Sequence, residues 1–129
     1  MIPAFTRTSF IPLTLRKKVG RLSGAPNAGQ TFEADVLGLR YYGVTGTQMD
    51  DKIYLYGAHE AATLRLIRRI LQTAQDGGGD TVYVDIGTNT GLHLMVGASC
   101  ATRAFGFEPW GPVRDRATKN LALNHLDNA

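Results

Sequence analysis

Between Phe32 and Tyr42 apolar and polar residues alternate loosely. Phe32, Ala34 and Val36 stand against Glu33 and Asp35, and Leu37-Gly38-Leu39-Arg40-Tyr41-Tyr42 follows. A period of two predicts one or two short strands here. Gly43 to Asp51 reads as a turn-rich loop, and Ile53-Tyr54-Leu55-Tyr56 as a further strand. The period then changes. After Gly57-Ala58-His59-Glu60, the residues Thr63, Leu66, Ile67, Ile70, Leu71 and Ala74 recur at helical spacing, with Arg65, Arg68, Arg69 and Gln72 on the other side. This predicts an amphipathic helix over 59–75 with one buried face, ended by the breakers Asp76-Gly77-Gly78-Gly79-Asp80.

From Thr81 the pattern switches again. Thr81-Val82-Tyr83-Val84-Asp85-Ile86 is a short β-branched and aromatic run that predicts a buried strand. Gly87-Thr88-Asn89-Thr90-Gly91 is a loop. Leu92, Met95, Val96, Ser99 and Cys100 then share a helical face, and Gly97, Ala98 and Ala101 are small enough to lie close on a sheet. Ala104 to Glu108 forms a second strand, stopped by Pro109. Pro112 suits the start of a helix that carries Val113, Ala117, Asn120, Leu121 and Asn124 on one face. The order strand, glycine loop, helix, strand, helix is a βαβα unit and requires parallel strands. The expected class is α/β, with the helix over 59–75 covering one sheet face.

Composition adds three constraints. The length of 129 residues suits one domain, and 43% hydrophobic with 19% charged residues excludes a chain that is disordered throughout. No apolar run is long enough to span a bilayer. The net charge of +3 hides an asymmetry: Arg7, Arg16, Lys17, Lys18 and Arg21 fall in residues 1–32, which carry no acid. Residues 1–31 therefore read as a basic arm followed by a linker rich in Gly, Ser, Ala, Pro and Asn. Phe10-Ile11-Pro12-Leu13-Thr14-Leu15 is too short, and broken by a proline, to act as a secretory signal. Cys100 is the only cysteine, which rules out an internal disulfide framework and fits the cytoplasm.

The candidate chemistry lies in Val84-Asp85-Ile86-Gly87-Thr88-Asn89-Thr90-Gly91. Glycines between a strand and a helix let backbone approach a ligand, and ligands of such sheets bind at the carboxyl ends of the strands. Glu108 ends the second strand, where an acid accepts hydrogen bonds from ribose hydroxyls. The loop lacks the central glycine of the dinucleotide fingerprint, and no Gly-Lys-Ser/Thr forms a P-loop. Asp85 inside the site repels phosphate and suits an ammonium. S-adenosylmethionine (SAM) carries an ammonium, a sulfonium and a ribose diol but no phosphate, so the charges favour it over NAD or ATP.

These residues resemble the DxGxNxG motif of class I SAM-dependent methyltransferases, and more narrowly the FkbM family. Phe107-Glu108-Pro109, Asn120-Leu121-Ala122-Leu123-Asn124 and the helix start Gly57-Ala58-His59-Glu60 follow that family's order, so the resemblance covers about residues 32–128. It implies the N-terminal portion of a doubly wound, Rossmann-like fold with a small β lead-in. Residues 32–129 would be a partial SAM-binding domain truncated at its C-terminus, with the residues that activate the acceptor on later strands. It implies that Asp85 holds the methionine ammonium and that Gly87 and Gly91 let the loop pass close to the cofactor. It implies further that Asn89 shapes the loop, that Glu108 binds the ribose and that Glu60 lies beside the methionine end. Thr88 departs from the alanine commoner in the family. The implied reaction is O-methylation of a hydroxyl on a sugar or small natural product, with no metal and no nucleic-acid partner.

Two other readings stay open on sequence: a fragment of a nicotinamide-dependent oxidoreductase, and a non-catalytic module that binds a partner chain through an open sheet edge. His59, His93 and His125 have no ligand spacing and read as surface or packing residues. Trp110 reads as a hydrophobic plug or as a residue packed near the adenine, and Asn120 and Asn124 as ties between helix and loop.

Overall fold

The computed structural model describes residues 27–129, so the basic stretch of residues 1–26 lies outside the described residues. Two compact units are present, with the boundary between His59 and Glu60.

In the first unit, β1 (Thr31–Val36) pairs antiparallel with β2 (Leu39–Val44), from Thr31 opposite Val44 to Val36 opposite Leu39. Leu37 and Gly38 make the turn with φ of 55° and 82°. Positive φ at both central residues lets a two-residue hairpin follow the strand twist. The Asp35 carboxylate accepts from the Gly38 amide at 3.1 Å. The alternation expected for β1 holds, with Phe32 and Val36 buried and Glu33 and Asp35 exposed.

The strand expected at Ile53–Tyr56 and most of the loop expected before it are instead one helix, α1 (Gln48–Tyr56). Its ends decide the matter. Thr47 Oγ1 accepts from the Asp50 amide at 3.1 Å, Asp50 and Asp51 occupy the first turn, and Gly57 closes the helix with φ 73°. Caps at both ends outweigh the β preference of four apolar and aromatic residues. Ile53 enters the core, and Tyr54 meets Phe32 edge-on at 5.3 Å between ring centroids.

The second unit has the expected order. It comprises α2 (Ala61–Asp76), β3 (Val82–Ile86), α3 (Leu92–Ala98), β4 (Arg103–Phe107) and α4 (Gly111–Ala122). β3 and β4 are parallel, in register from Val82 opposite Arg103 to Ile86 opposite Phe107. α3 is apolar nearly all round: Leu92 and every residue from Leu94 to Ala98 are buried. It packs against both strands, α2 and α4. Two small residues set its approach. A Cβ at Gly97 would stand 2.1 Å from the Tyr83 ring on β3, and one at Gly106 on β4 would stand 2.4 Å from Leu94.

Two burial expectations need correction. β3 was expected to be buried, yet Val82, Val84 and Ile86 are exposed, Ile86 by 84%, as are Phe105 and Phe107 on β4. Alternation explains it. Tyr83, Asp85, Ala104 and Gly106 face α3, and no described element covers the opposite face. The inner face of α2 is also turned from the expected one. Leu64 and Leu71 are buried and Ile67 packs partly, while Leu66 and Ile70 are exposed. α2 packs on α3 and on Cys100 and Ala101 rather than flat across the sheet, so only part of its broad apolar arc finds a neighbour.

Candidate functional site

The carboxyl ends of β3 and β4 lie side by side because the strands are parallel. The first turn after β3 is stitched to the end of β4: the amides of Gly87 and Thr88 both donate to the Phe107 carbonyl, at 2.8 and 3.1 Å. Three residues of the loop have left-handed backbone, Gly87 (φ 79°), Asn89 (φ 51°) and Gly91 (φ 83°). Glycine occupies this region at no steric cost, and asparagine tolerates it better than most residues.

The loop brings Glu108 to itself. The Glu108 carboxylate accepts from the Asn89 amide at 3.1 Å through Oε2 and from the Trp110 amide at 3.0 Å through Oε1. Each oxygen keeps a further lone pair for a ligand hydroxyl. Asn89 thus acts through its backbone, and its side chain is exposed at the loop's tip. Asp85, half-buried on the α3 side of β3, accepts from Thr88 Oγ1 at 2.7 Å. Thr88 therefore orients the Asp85 carboxylate.

The two motif glycines have different physical reasons. A Cβ at Gly87 would meet no protein atom within 4 Å, so open space lies before it. A Cβ at Gly91 would stand 3.0 Å from Ala117, so Gly91 admits α4 against the loop. Asn120, fully buried, completes that contact by donating from Nδ2 to the Thr90 carbonyl at 2.9 Å. This is the helix-to-loop tie expected of it. Asn124 donates to the Asn120 carbonyl at 2.8 Å, within its own helix region. Asn128, which belongs to no sequence motif, donates to the carbonyls of Ala98 and Ala101 at 3.0 and 2.8 Å and clasps the end of α3.

Glu60 caps α2 from a left-handed conformation (φ 50°) without a side-chain bond to that helix. Its Oε2 lies 3.2 Å from Nε2 of His93, in the first turn of α3. By sequence His93 reads as a surface or packing residue. Nothing in its spacing announces the pairing, which depends on where α2 meets α3.

The electrostatics fit a ligand with cationic and hydroxyl groups. Asp85 and Glu108 flank the loop, and residues 85–91 contain no Lys or Arg to hold a phosphate. Among the described residues no group of three or more His, Cys, Asp or Glu could hold a metal ion. No helix among them is long and apolar enough to cross a membrane.

The chain is similar to the crystal structure of a SAM-dependent methyltransferase from Agrobacterium tumefaciens, with a TM-score of 0.62 over 81% of this chain. The chain carries part of a methyltransferase fold. The likeness is one of architecture, since sequence identity is 17%, and the chain spans 31% of the length of that protein. No family model matches, and no curated protein matches in sequence. The expected α/β portion of a doubly wound fold is therefore present, with Asp85, Gly87, Asn89 and Glu108 at the carboxyl ends of its parallel pair.

Proposed function

We propose that this chain is the cofactor-binding portion of a SAM-dependent methyltransferase of the FkbM type. The reading rests on one observation above all: Glu108, pinned beside the glycine loop by the Asn89 amide. A carboxylate held there accepts both hydroxyls of a ribose, and the loop it touches offers no side-chain cation to a phosphate. Asp85 supplies a negative charge for the ligand ammonium, and Thr88 fixes its orientation. Gly87 leaves room for the ligand against bare backbone.

Bound SAM, held by Asp85, Gly87 and Glu108, would supply a sulfonium methyl group for transfer to an acceptor hydroxyl. This chain's residues contribute alignment, which lowers the barrier by fixing the reacting geometry in advance. The resemblance to the FkbM family carried by Phe107-Glu108-Pro109 and by Asn120 to Asn124 implies an acceptor hydroxyl on a sugar or small natural product.

Calorimetric titration with SAM, S-adenosylhomocysteine and NAD tests the proposal. Binding of the first two and not the third is expected. Binding of NAD alone would favour the oxidoreductase reading, and binding of none would leave a non-catalytic module.

A further inference from the structure

We infer that His93 is a positioning residue that holds the Glu60 carboxylate toward the amino-acid end of the cofactor. The inference rests on the cofactor reading above and adds a residue to which the motif gives no role. Three observations carry it. Glu60 stands at the head of α2 in left-handed backbone, which a glutamate rarely adopts, and its side chain makes no cap bond to its own helix. Its Oε2 instead reaches His93 Nε2 at 3.2 Å. His93 lies two residues past Gly91, so the pair joins the start of α2 to the helix that leaves the glycine loop.

The chemistry of the ligand gives the pairing a purpose. A ribose held by Glu108 occupies the β4 side of the site. The ammonium at the other end of the molecule requires carboxylates on the β3 and α3 side. Asp85 is one, half-buried and already accepting from Thr88. Glu60 is the second, with its side chain 50% exposed. An exposed glutamate samples several rotamers, and ordering it on binding costs affinity. The imidazole, whose side chain is 26% exposed, limits that sampling beforehand.

The test compares two ligands that share adenosine: S-adenosylhomocysteine, which has the amino-acid end, and 5′-methylthioadenosine, which lacks it. Loss of one charge-assisted contact corresponds to about a tenfold change in dissociation constant. His93→Phe is expected to weaken S-adenosylhomocysteine about tenfold and to leave methylthioadenosine unchanged. His93→Gln keeps an N–H donor and restores most of the affinity. Glu60→Gln should reproduce the selective loss, and it serves in place of His93→Phe if that variant does not fold. Equal weakening of both ligands, or no change in either, overturns the positioning role while leaving the cofactor reading intact. If the unaltered chain binds neither ligand, the cofactor reading falls first.

Discussion

The backbone amide of Asn89 donates to Oε2 of Glu108 at 3.1 Å, joining the loop after β3 to the residue that ends β4. The bond makes the acid's position a property of the loop. Glu108→Ala should therefore remove the ribose acceptor and release the loop together. Affinity for S-adenosylhomocysteine and for 5′-methylthioadenosine should both fall by more than tenfold, since a charged hydrogen bond contributes roughly 1.5–3 kcal/mol. Glu108→Gln retains one acceptor oxygen and should fall between. Calorimetry on both variants is the check, and unchanged affinity would reject the ribose role.

Gly97 and Tyr83 give a prediction about stability. Replacing a helical glycine by alanine ordinarily gains up to about 1 kcal/mol from propensity. Here the added Cβ would stand 2.1 Å from the Tyr83 ring, so α3 must lift from the sheet. Gly97→Ala should destabilise the chain by about 1–3 kcal/mol, the usual cost of overpacking a close contact. Adding Tyr83→Leu should recover part of the loss. Denaturant melts of the two single variants and the double variant measure the coupling.

The same tyrosine carries a pH signature. Burial, followed by the negative charge of Asp85, pushes the Tyr83 hydroxyl up from 10.0 to about 12. The folded state thus holds this proton more tightly than the unfolded state does. The resulting stability is fully present below pH 10 and is lost as pH rises toward 12. Ultraviolet titration should show late-ionising tyrosine absorbance whose amplitude Tyr83→Phe reduces by one tyrosine. If that variant leaves the late amplitude unchanged, Tyr83 is not its source.

Much of the second unit was legible because its signals are local. The β-branched run at 82–86, the glycines at 87 and 91 and Glu108 before Pro109 each fix a strand, a turn or a strand end by themselves. Burial was less legible, because it depends on what covers an element. The apolar run of β3 reads as buried on both faces, and α3 covers only the face bearing Tyr83 and Asp85. The His93–Glu60 pair was hidden for the same reason, since two helices separated in sequence bring it together. The error at α1 was of another kind. Thr47 followed three residues later by Asp50 is a capping pattern visible in the sequence, and it outweighs the strand preference of Ile53 to Tyr56.

That cap supports the final prediction. Asp50 is fully buried and joins Tyr41 to Thr47. Tyr41 donates from its hydroxyl to Oδ1 at 2.7 Å, Thr47 donates from Oγ1 to Oδ2 at 3.0 Å, and the Asp50 amide returns a bond to Thr47 at 3.1 Å. The acid thus holds the head of α1 and the middle of β2 in one network. Asp50→Ala deletes the acceptor of a buried tyrosine hydroxyl and weakens the helix cap in the same change. The expected loss is about 2–4 kcal/mol for the first unit, combining a charged hydrogen bond with a cap. Tyr41→Phe removes the bond to Asp50 but leaves the Thr47 cap in place, and should cost less. Amide exchange across Gln48–Tyr56 gives the decisive measurement. Protection there should fall in Asp50→Ala while the amides of β3 and α3 keep theirs, and equal loss everywhere would mean that the network supports more than this hairpin and helix.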